Sequence, residues 1–129
     1  MDGSRVPGAS ALRIAASLLF LAAAAVGAGD VIIDEIHYEA PDKTKLEEFV
    51  ELYNAGGGPV DLSGWYFSNG IEFVFPPGTV LEADGYIAVA EDPASLEARF
   101  PGIRTAGPFA GHLSNDGERL VLRAVTPSR

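Results

Sequence analysis

The sequence predicts an all-β fold, a β-sandwich of short strands, on two observations. The 129 residues include 15 glycines and 9 prolines without a triplet period, a share above the average of roughly 12% that indicates many turns. Six to eight β-branched or aromatic runs are separated by turns at intervals of about ten residues, the spacing typical of a sandwich in which two sheets bury their inner faces against each other.

The first two strands are predicted over residues 31–38 and 49–53, where polar residues alternate with β-branched and aromatic ones. This alternation is expected when one strand face is buried and the other is wet. In the second strand Val50 and Leu52 share one face. We predict that the opposite face, which carries Glu51, is solvated.

A hairpin is predicted over residues 64–76, because Asn69-Gly70 lies between the apolar runs 65–67 and 71–75. Asn-Gly between such runs is a strong hairpin signal, since both residues tolerate positive φ. The remaining turns are predicted at 54–59, 76–78, 83–85 and 115–117, and the remaining strands at 79–81, 86–90 and around 113 through Val125.

One short helix interrupts the β pattern over residues 92–101. Asp92 can cap the free amides of a first turn, and Pro93 suits the first helical position. Leu96 and Phe100 lie four positions apart and share one face. We therefore predict a two-turn helix that covers part of the sandwich.

The N-terminus predicts an export signal. Two arginines precede an apolar run of 13 residues, Ile14–Val26, which is shorter than the roughly 20 residues needed to span a bilayer. Small residues at Val26 and Ala28 favour cleavage after Ala28. We predict a signal-peptide helix over residues 1–28, a protein exported to the periplasm, cell surface or extracellular space, and no stable membrane insertion after cleavage.

Charge and composition exclude several classes of function. The chain has a formal charge of −9, which repels phosphate backbones and therefore argues against nucleic acid as a partner. It contains no cysteine, so disulfides, thiolate zinc sites and cysteine nucleophiles are excluded. Nucleotide-binding and serine-hydrolase motifs are also missing from the sequence.

Six motifs follow one another along the chain: Val31-Ile-Ile-Asp-Glu-Ile-His-Tyr38, Glu48-Phe-Val-Glu-Leu-Tyr-Asn54, Val60-Asp-Leu-Ser-Gly-Trp65, Phe75-Pro-Pro-Gly-Thr79, Gly85-Tyr-Ile-Ala-Val-Ala90 and Leu113-Ser-Asn-Asp-Gly-Glu-Arg-Leu120. Together they resemble the lamin tail domain, the immunoglobulin-like sandwich found at the end of nuclear lamins and in many secreted bacterial proteins. The resemblance covers residues 31–123. Its structural positions fall on Asn54, Asp61, Gly64, Trp65, Gly78, Gly85 and Gly117.

The resemblance implies a non-catalytic accessory module, with the sandwich domain over residues 29–125, no cofactor, and a protein or cell-envelope component as partner. An alternative is an N-terminal accessory domain of a larger secreted enzyme, because bacterial members are appended to exported nucleases, phosphoesterases or spore-coat-protein-H-type kinases. The family pattern continues past its last hairpin with another strand, which residues 126–129 cannot supply. We expect a truncated tail there, or a sheet edge that pairs with a partner strand.

An acidic segment, residues 30–51, carries eight carboxylates beside two lysines. Asp34, Glu35, Glu48 and Glu51 are candidate calcium ligands, because hard cations are bound by several oxygens. Alternate carboxylates on a strand point to opposite faces, so most of them can converge on one ion only with help from a neighbouring strand. A solvated acidic face and a calcium site are both open interpretations.

Histidine and carboxylate pairs give no strong catalytic signal. His37 and His112 each lack a histidine or cysteine at ligand spacing. We predict that His37 is a wet or half-buried strand residue that packs beside Tyr38, and that His112 lies in a loop. Glu35 and Glu48 could flank a glycosidic bond only in a cleft that raises the pKa of one of them. A sandwich of this size without a long loop offers little cleft, so we predict that the domain is not an enzyme.

Aromatic residues 65–67 form the densest aromatic patch. Alternation places Trp65 and Phe67 on one face, predicted to be the core, and Tyr66 on the other. An exposed Tyr66 is a candidate for stacking on a sugar ring, so a carbohydrate-binding module is a further alternative.

Overall fold

Eight strands and one short helix make up the described part of the chain, which in this computed structural model comprises residues 30–38, 47–114, 117 and 119–125. The elements are β1 Val31–His37, β2 Phe49–Asn54, β3 Val60–Asp61, β4 Tyr66–Asn69, β5 Val80–Leu81, β6 Tyr86–Ala90, α1 Pro93–Arg99, β7 Thr105–Ala106 and β8 Val121–Arg123. The all-β prediction is confirmed.

Three predicted features lie outside the described residues: the signal peptide over residues 1–28 with its cleavage position at Ala28, the tail at 126–129, and most of the last hairpin turn at 115–117. Within the described residues, no helix is long and apolar enough to cross a membrane.

The strands form a four-stranded sheet and two two-stranded sheets. The larger sheet has the order β1-β2-β6-β7, in which β7 runs parallel to β6 and the other pairs are antiparallel. The smaller sheets pair β3 with β5 and β4 with β8. All three sheets contribute to one core, as expected for a sandwich.

The core lies on the inner face of the four-stranded sheet. Val50 and Leu52 of β2 are fully buried there, as predicted from the alternation. Trp65, Phe67 and Leu122, from the opposite side of the sandwich, belong to the same apolar cluster. Burying such side chains is the main favourable contribution to folding, at about 25 cal/mol per Å² of apolar surface.

The outer face of the four-stranded sheet is also covered, and here the prediction of a solvated face is wrong. Phe49 of β2 is buried in a second apolar cluster with Ala88, Ala90 and Leu96 of α1. Glu51, two residues further along the same face, is only 1% exposed. Side chains of β2 therefore alternate between two sheet faces, and both of these faces are buried at residues 49–52.

Helix α1 confirms the prediction from its capping residues. Asp92 is the N-cap, and its Oδ1 accepts a hydrogen bond of 3.3 Å from the amide of Ser95. Pro93 occupies the first turn. Leu96 is buried against the sheet and Phe100 is half-buried in the same cluster, so the face they share is the face that packs.

The hairpin predicted over 64–76 is present, although its pairing is short. The amide of Phe67 donates to the carbonyl of Phe73 at 3.1 Å, and the amide of Phe75 donates to that of Trp65 at 2.8 Å. The chain reverses through Gly70, whose φ is 88°. Strand β4 pairs with β8 over more residues than with the second arm of the hairpin, where only an isolated bridge between Tyr66 and Val74 forms.

Candidate functional site

A β-bulge in β1 brings three carboxylates together on the outer face of the four-stranded sheet. Ile33 pairs with Leu52 and Glu35 pairs with Glu51, which leaves Asp34 as an extra residue between the two pairs. In a β-bulge, two residues of one strand oppose one residue of its neighbour. Asp34 and Glu35 therefore both lie opposite Glu51.

These three residues, which we call the acidic triad, are close enough to act on one ligand. One oxygen from each of Asp34, Glu35 and Glu51 lies within 4.8 Å of the other two. Glu51 is 1% exposed and Glu35 is 6% exposed, whereas Asp34 is half-buried. The triad is thus a buried acidic cluster with one member near the surface.

Glu51 has the most perturbed environment. Burial raises its pKa to about 9, and hydrogen bonds and negative charges from Asp34 and Glu35 act in the same direction. Its Oε1 is buried and makes no hydrogen bond. A buried carboxylate is costly unless it is neutralised. In the absence of a cation, the Glu51 carboxyl is therefore protonated at neutral pH and shares its proton with a neighbouring carboxylate.

Glu48, the fourth predicted calcium ligand, lies in a different group. Its Oε2 accepts a hydrogen bond of 3.0 Å from the amide of Leu113. One ligand atom of Glu48 lies within 4.8 Å of atoms of Glu91 and His112, and Nδ1 of His112 is 3.4 Å from Oε1 of Glu91. The structure therefore brings together three of the four candidates and separates Glu48 from them.

Glu35 and Glu48, the carboxylate pair considered for glycoside hydrolysis, lie in these two different groups. Glu35 belongs to the acidic triad, whereas the carboxylate of Glu48 anchors the backbone at Leu113. Acid and base must flank one bond, with their carboxyl groups about 5 to 10 Å apart across an open cleft. Glu35 is buried, and the carboxylate of Glu48 is engaged by the backbone at Leu113.

The two histidines occupy different environments. The ring of His37 stacks on that of Phe49, with centroids 5.1 Å apart and planes 12° apart, so its half-buried strand position is as predicted and its stacking partner is Phe49. The side chain of His112 is 80% exposed in the predicted loop beside Glu91.

The predicted surface position of Tyr66 is confirmed. Trp65 and Phe67 are buried at 3% and 5% exposure, whereas Tyr66 is 37% exposed. Tyr66 forms an antiparallel bridge with Val74, which is 62% exposed. The two side chains form a small exposed apolar pair, which we call the Tyr66–Val74 pair.

Asn54 has a structural role that the motif alone does not reveal. It is fully buried, and its Nδ2 donates hydrogen bonds of 2.9 Å to the carbonyls of Gly58 and Leu81. Its Oδ1 accepts one of 2.9 Å from the amide of Gly56. The side chain therefore closes the turn after β2 and holds β5 to it.

Asp61 organises a second turn. Its Oδ1 accepts hydrogen bonds from the amide and the hydroxyl of Ser63 at 2.9 and 2.5 Å. The Ser63 hydroxyl oxygen in turn accepts one of 2.8 Å from the amide of Gly78. The hydrogen bonds from Ser63 hold the pKa of Asp61 below its usual value of 3.8.

The motif glycines occupy turns as well. Gly64, Gly78 and Gly117 adopt φ values of 78°, 83° and 87°. At Gly85 the reason is space, because a Cβ would lie 2.8 Å from the carbonyl oxygen of Glu82. The motif positions therefore maintain the fold and do not converge on a ligand.

Two concave regions are found on the described surface. An open groove of about 560 Å³ lies between residues 73–79 and 104–107, and neither carboxylate nor imidazole lines it. A recess of about 30 Å³ lies between α1 and His37, where Glu47 pairs with Arg99 at 2.8 Å. The recess has room for about one water molecule.

The fold defines a class of protein, the β-sandwich interaction or structural domains of immunoglobulin-like type. The family model of the Lamin Tail Domain matches residues 24–126, and the chain belongs to this family. Comparisons with curated proteins and with solved structures found no match. The resemblance stated from the sequence motifs is confirmed.

Proposed function

We propose that this chain is an exported, non-catalytic module that contacts a protein of the cell envelope. The observation that carries the proposal is the match of residues 24–126 to a family of immunoglobulin-like interaction domains. A fold does not fix a function, so the proposal depends on the surface and on the N-terminal signal as well.

The open groove supports binding more than catalysis. Apolar residues line it together with the polar residues Thr79, Arg104 and Thr105. Binding sites combine such a lining with a few polar groups that orient the ligand. Catalysis would require a general acid, a base or an activated nucleophile within the groove.

The Tyr66–Val74 pair lies beside the groove, because its member Val74 also lines the groove. Tyrosine is enriched in protein interfaces, since its ring buries a large area and its hydroxyl remains hydrogen-bonded. The pair is therefore the surface that we would test first for a protein contact.

Export is tested by the N-terminus of the mature protein. Expression of the full chain in a host with the general secretory pathway is expected to yield a product that begins at Gly29 and is found outside the cytoplasm. Leu19→Arg interrupts the apolar run and is expected to retain the uncleaved chain inside the cell, whereas Leu12→Arg, outside that run, serves as the control. An unprocessed cytoplasmic wild-type chain would contradict export.

Binding is tested with purified chain and envelope fractions from the organism that encodes it. We expect saturable, protease-sensitive binding that falls at least fivefold in the double variant Tyr66→Ala/Val74→Ser. Val125→Ser is a matched control, because Val125 is 43% exposed and lies outside the groove lining. Equal binding by the wild type and the double variant would exclude this surface, and unchanged binding after protease treatment of the envelopes would exclude a protein partner.

A further inference from the structure

We propose that the acidic triad binds one Ca²⁺ ion, held by the carboxylates of Asp34, Glu35 and Glu51. This binding site is independent of the groove and of the Tyr66–Val74 pair. Two observations carry it: the bulge that places three carboxylate oxygens within 4.8 Å of one another, and the buried Oε1 of Glu51, which has no hydrogen-bond partner.

The distances suit calcium. Calcium takes six to eight oxygen ligands at about 2.3–2.6 Å, so oxygens separated by up to 4.8 Å can reach a single ion after small side-chain shifts. Three carboxylates supply up to six oxygens when each binds through both, and water completes the shell. Asp34 is half-buried, so it offers the route by which the ion enters.

The electrostatics favour a cation at this position. Three carboxylates lie within 4.8 Å of one another and two of them are almost fully buried, so their negative charges repel one another when all three are ionised. A divalent ion reverses this effect, because its charge is the largest local charge and favours the ionised form of its ligands. The ion would also satisfy Oε1 of Glu51.

The choice of metal follows from the ligands. All three donors are carboxylate oxygens, which suit hard cations, whereas zinc and copper favour imidazole or thiolate. Magnesium requires near-ideal octahedral geometry and usually keeps several waters. Two of the three triad residues are at least 94% buried, which leaves little room for a hydrated ion, so calcium is the preferred metal.

The position in the fold predicts a measurable effect on stability. Asp34 and Glu35 belong to β1 and Glu51 belongs to β2, so one ion would link the two strands. A ligand that binds only the folded state stabilises that state. The gain in the free energy of unfolding grows with the logarithm of the ratio of ligand concentration to dissociation constant.

The experiment is thermal unfolding of the full 129-residue chain after removal of metal by EGTA, repeated in millimolar CaCl₂ and in millimolar MgCl₂. We expect Ca²⁺ to raise the melting temperature by about 5 °C or more, and Mg²⁺ to raise it much less. Calorimetric titration with CaCl₂ should give a stoichiometry of one. The absence of both the shift and the heat in the wild type would overturn the proposal.

Variants identify the site. Glu51→Gln keeps the shape of the side chain and removes its charge, so it should fold in EGTA and lose the calcium shift. Two control variants should keep the calcium-induced shift in melting temperature. Glu72→Gln changes an exposed glutamate, and Glu48→Gln changes a carboxylate of the separate group that contains Glu91 and His112. A Glu51→Gln chain that still responds to calcium would overturn the proposal. Asp34→Asn provides the same test if Glu51→Gln does not fold.

A direct readout uses Tb³⁺, which replaces Ca²⁺ and emits when a nearby aromatic ring is excited. Tyr53 lies on the same face as Glu51, two residues further along β2, and stacks on Tyr86 at 4.6 Å. We expect sensitised Tb³⁺ emission that excess Ca²⁺ suppresses and that Glu51→Gln reduces at least tenfold. Emission that is equal in the wild type and in Glu51→Gln would place the ion elsewhere and contradict the assignment.

Discussion

The side-chain amide of Asn54 donates a hydrogen bond of 2.9 Å to the carbonyl of Leu81, 27 residues further along the chain. Asn54 ends β2 in the four-stranded sheet, and Leu81 ends β5 in a two-stranded sheet. The bond therefore joins two sheets of the sandwich at one end. The backbone of Asn54 adds to this connection, since its amide donates to Gly85 and its carbonyl accepts from Asp84.

Asn54→Ala should destabilise the domain by about 2–6 kcal/mol, because it leaves two polar groups without a partner and each such buried group costs about 1–3 kcal/mol. The carbonyl of Leu81 and the amide of Gly56 would both lose their bonds to the side chain. Chemical denaturation measures the change. Ser68→Ala, at an exposed position, is the control and should change stability by less than about 0.5 kcal/mol. Equal effects of the two substitutions would contradict the role of Asn54.

Leu96→Ala should destabilise by about 2–3 kcal/mol, since it leaves a cavity between α1 and the sheet. Leu96 is 5% exposed and packs in one cluster with Phe49. Val74→Ala is the comparison, because Val74 is 62% exposed; it should have little effect on the free energy of unfolding. A neutral Leu96→Ala would mean that α1 is not docked on the sheet in solution.

Gly85→Ala should destabilise by about 1–3 kcal/mol, because the new Cβ would lie 2.8 Å from the carbonyl oxygen of Glu82. Gly57 is a matched glycine, since a Cβ added there would meet no atom within 4 Å. Gly57→Ala should be neutral or stabilising by up to about 1 kcal/mol, through the lower entropy of the unfolded chain. Urea denaturation of both variants distinguishes these outcomes, and a reversed order would refute the steric argument.

The charge of Asp92 should contribute stability that depends on pH. Hydrogen bonds from Ser95 hold the pKa of Asp92 below the ordinary value of 3.8; the bond from the Ser95 hydroxyl has the larger effect and the bond from its amide the smaller one. A carboxyl whose pKa is lower in the folded state stabilises that state above the unfolded pKa, and this contribution is lost as pH falls through the folded pKa.

Asp92→Asn tests this contribution, because asparagine can still cap the helix but carries no charge. We expect the variant to melt at a lower temperature than the wild type at neutral pH, with a difference that shrinks once the pH falls below 3.8. Thermal unfolding at a series of pH values measures the difference. A difference that stays constant down to acidic pH would show that the charge has no such role.

Much of the fold follows from local sequence. The capping residue Asp92 and the following Pro93 predict the start of α1, because both act within one helical turn. The alternation across residues 65–67 correctly predicts which aromatic side chains are buried. These predictions succeed because strand alternation and helix capping depend on neighbours in the chain.

The acidic triad follows from the sequence only in part. The sequence identifies Asp34, Glu35 and Glu51 as candidates, and two adjacent strands carry them. It does not identify the bulge that brings Asp34 and Glu35 opposite Glu51. It also does not separate Glu48, whose hydrogen-bond partner at Leu113 is 65 positions away.

The sequence by itself determined the β-rich class, the family, the short helix and the residues that fill the inner core. Only the tertiary structure decided that the face of Glu51 is buried, because the cover over that sheet face includes Leu96, 45 positions later in the chain. Alternation reports which side chains share a face, but the solvent exposure of that face depends on what packs against it.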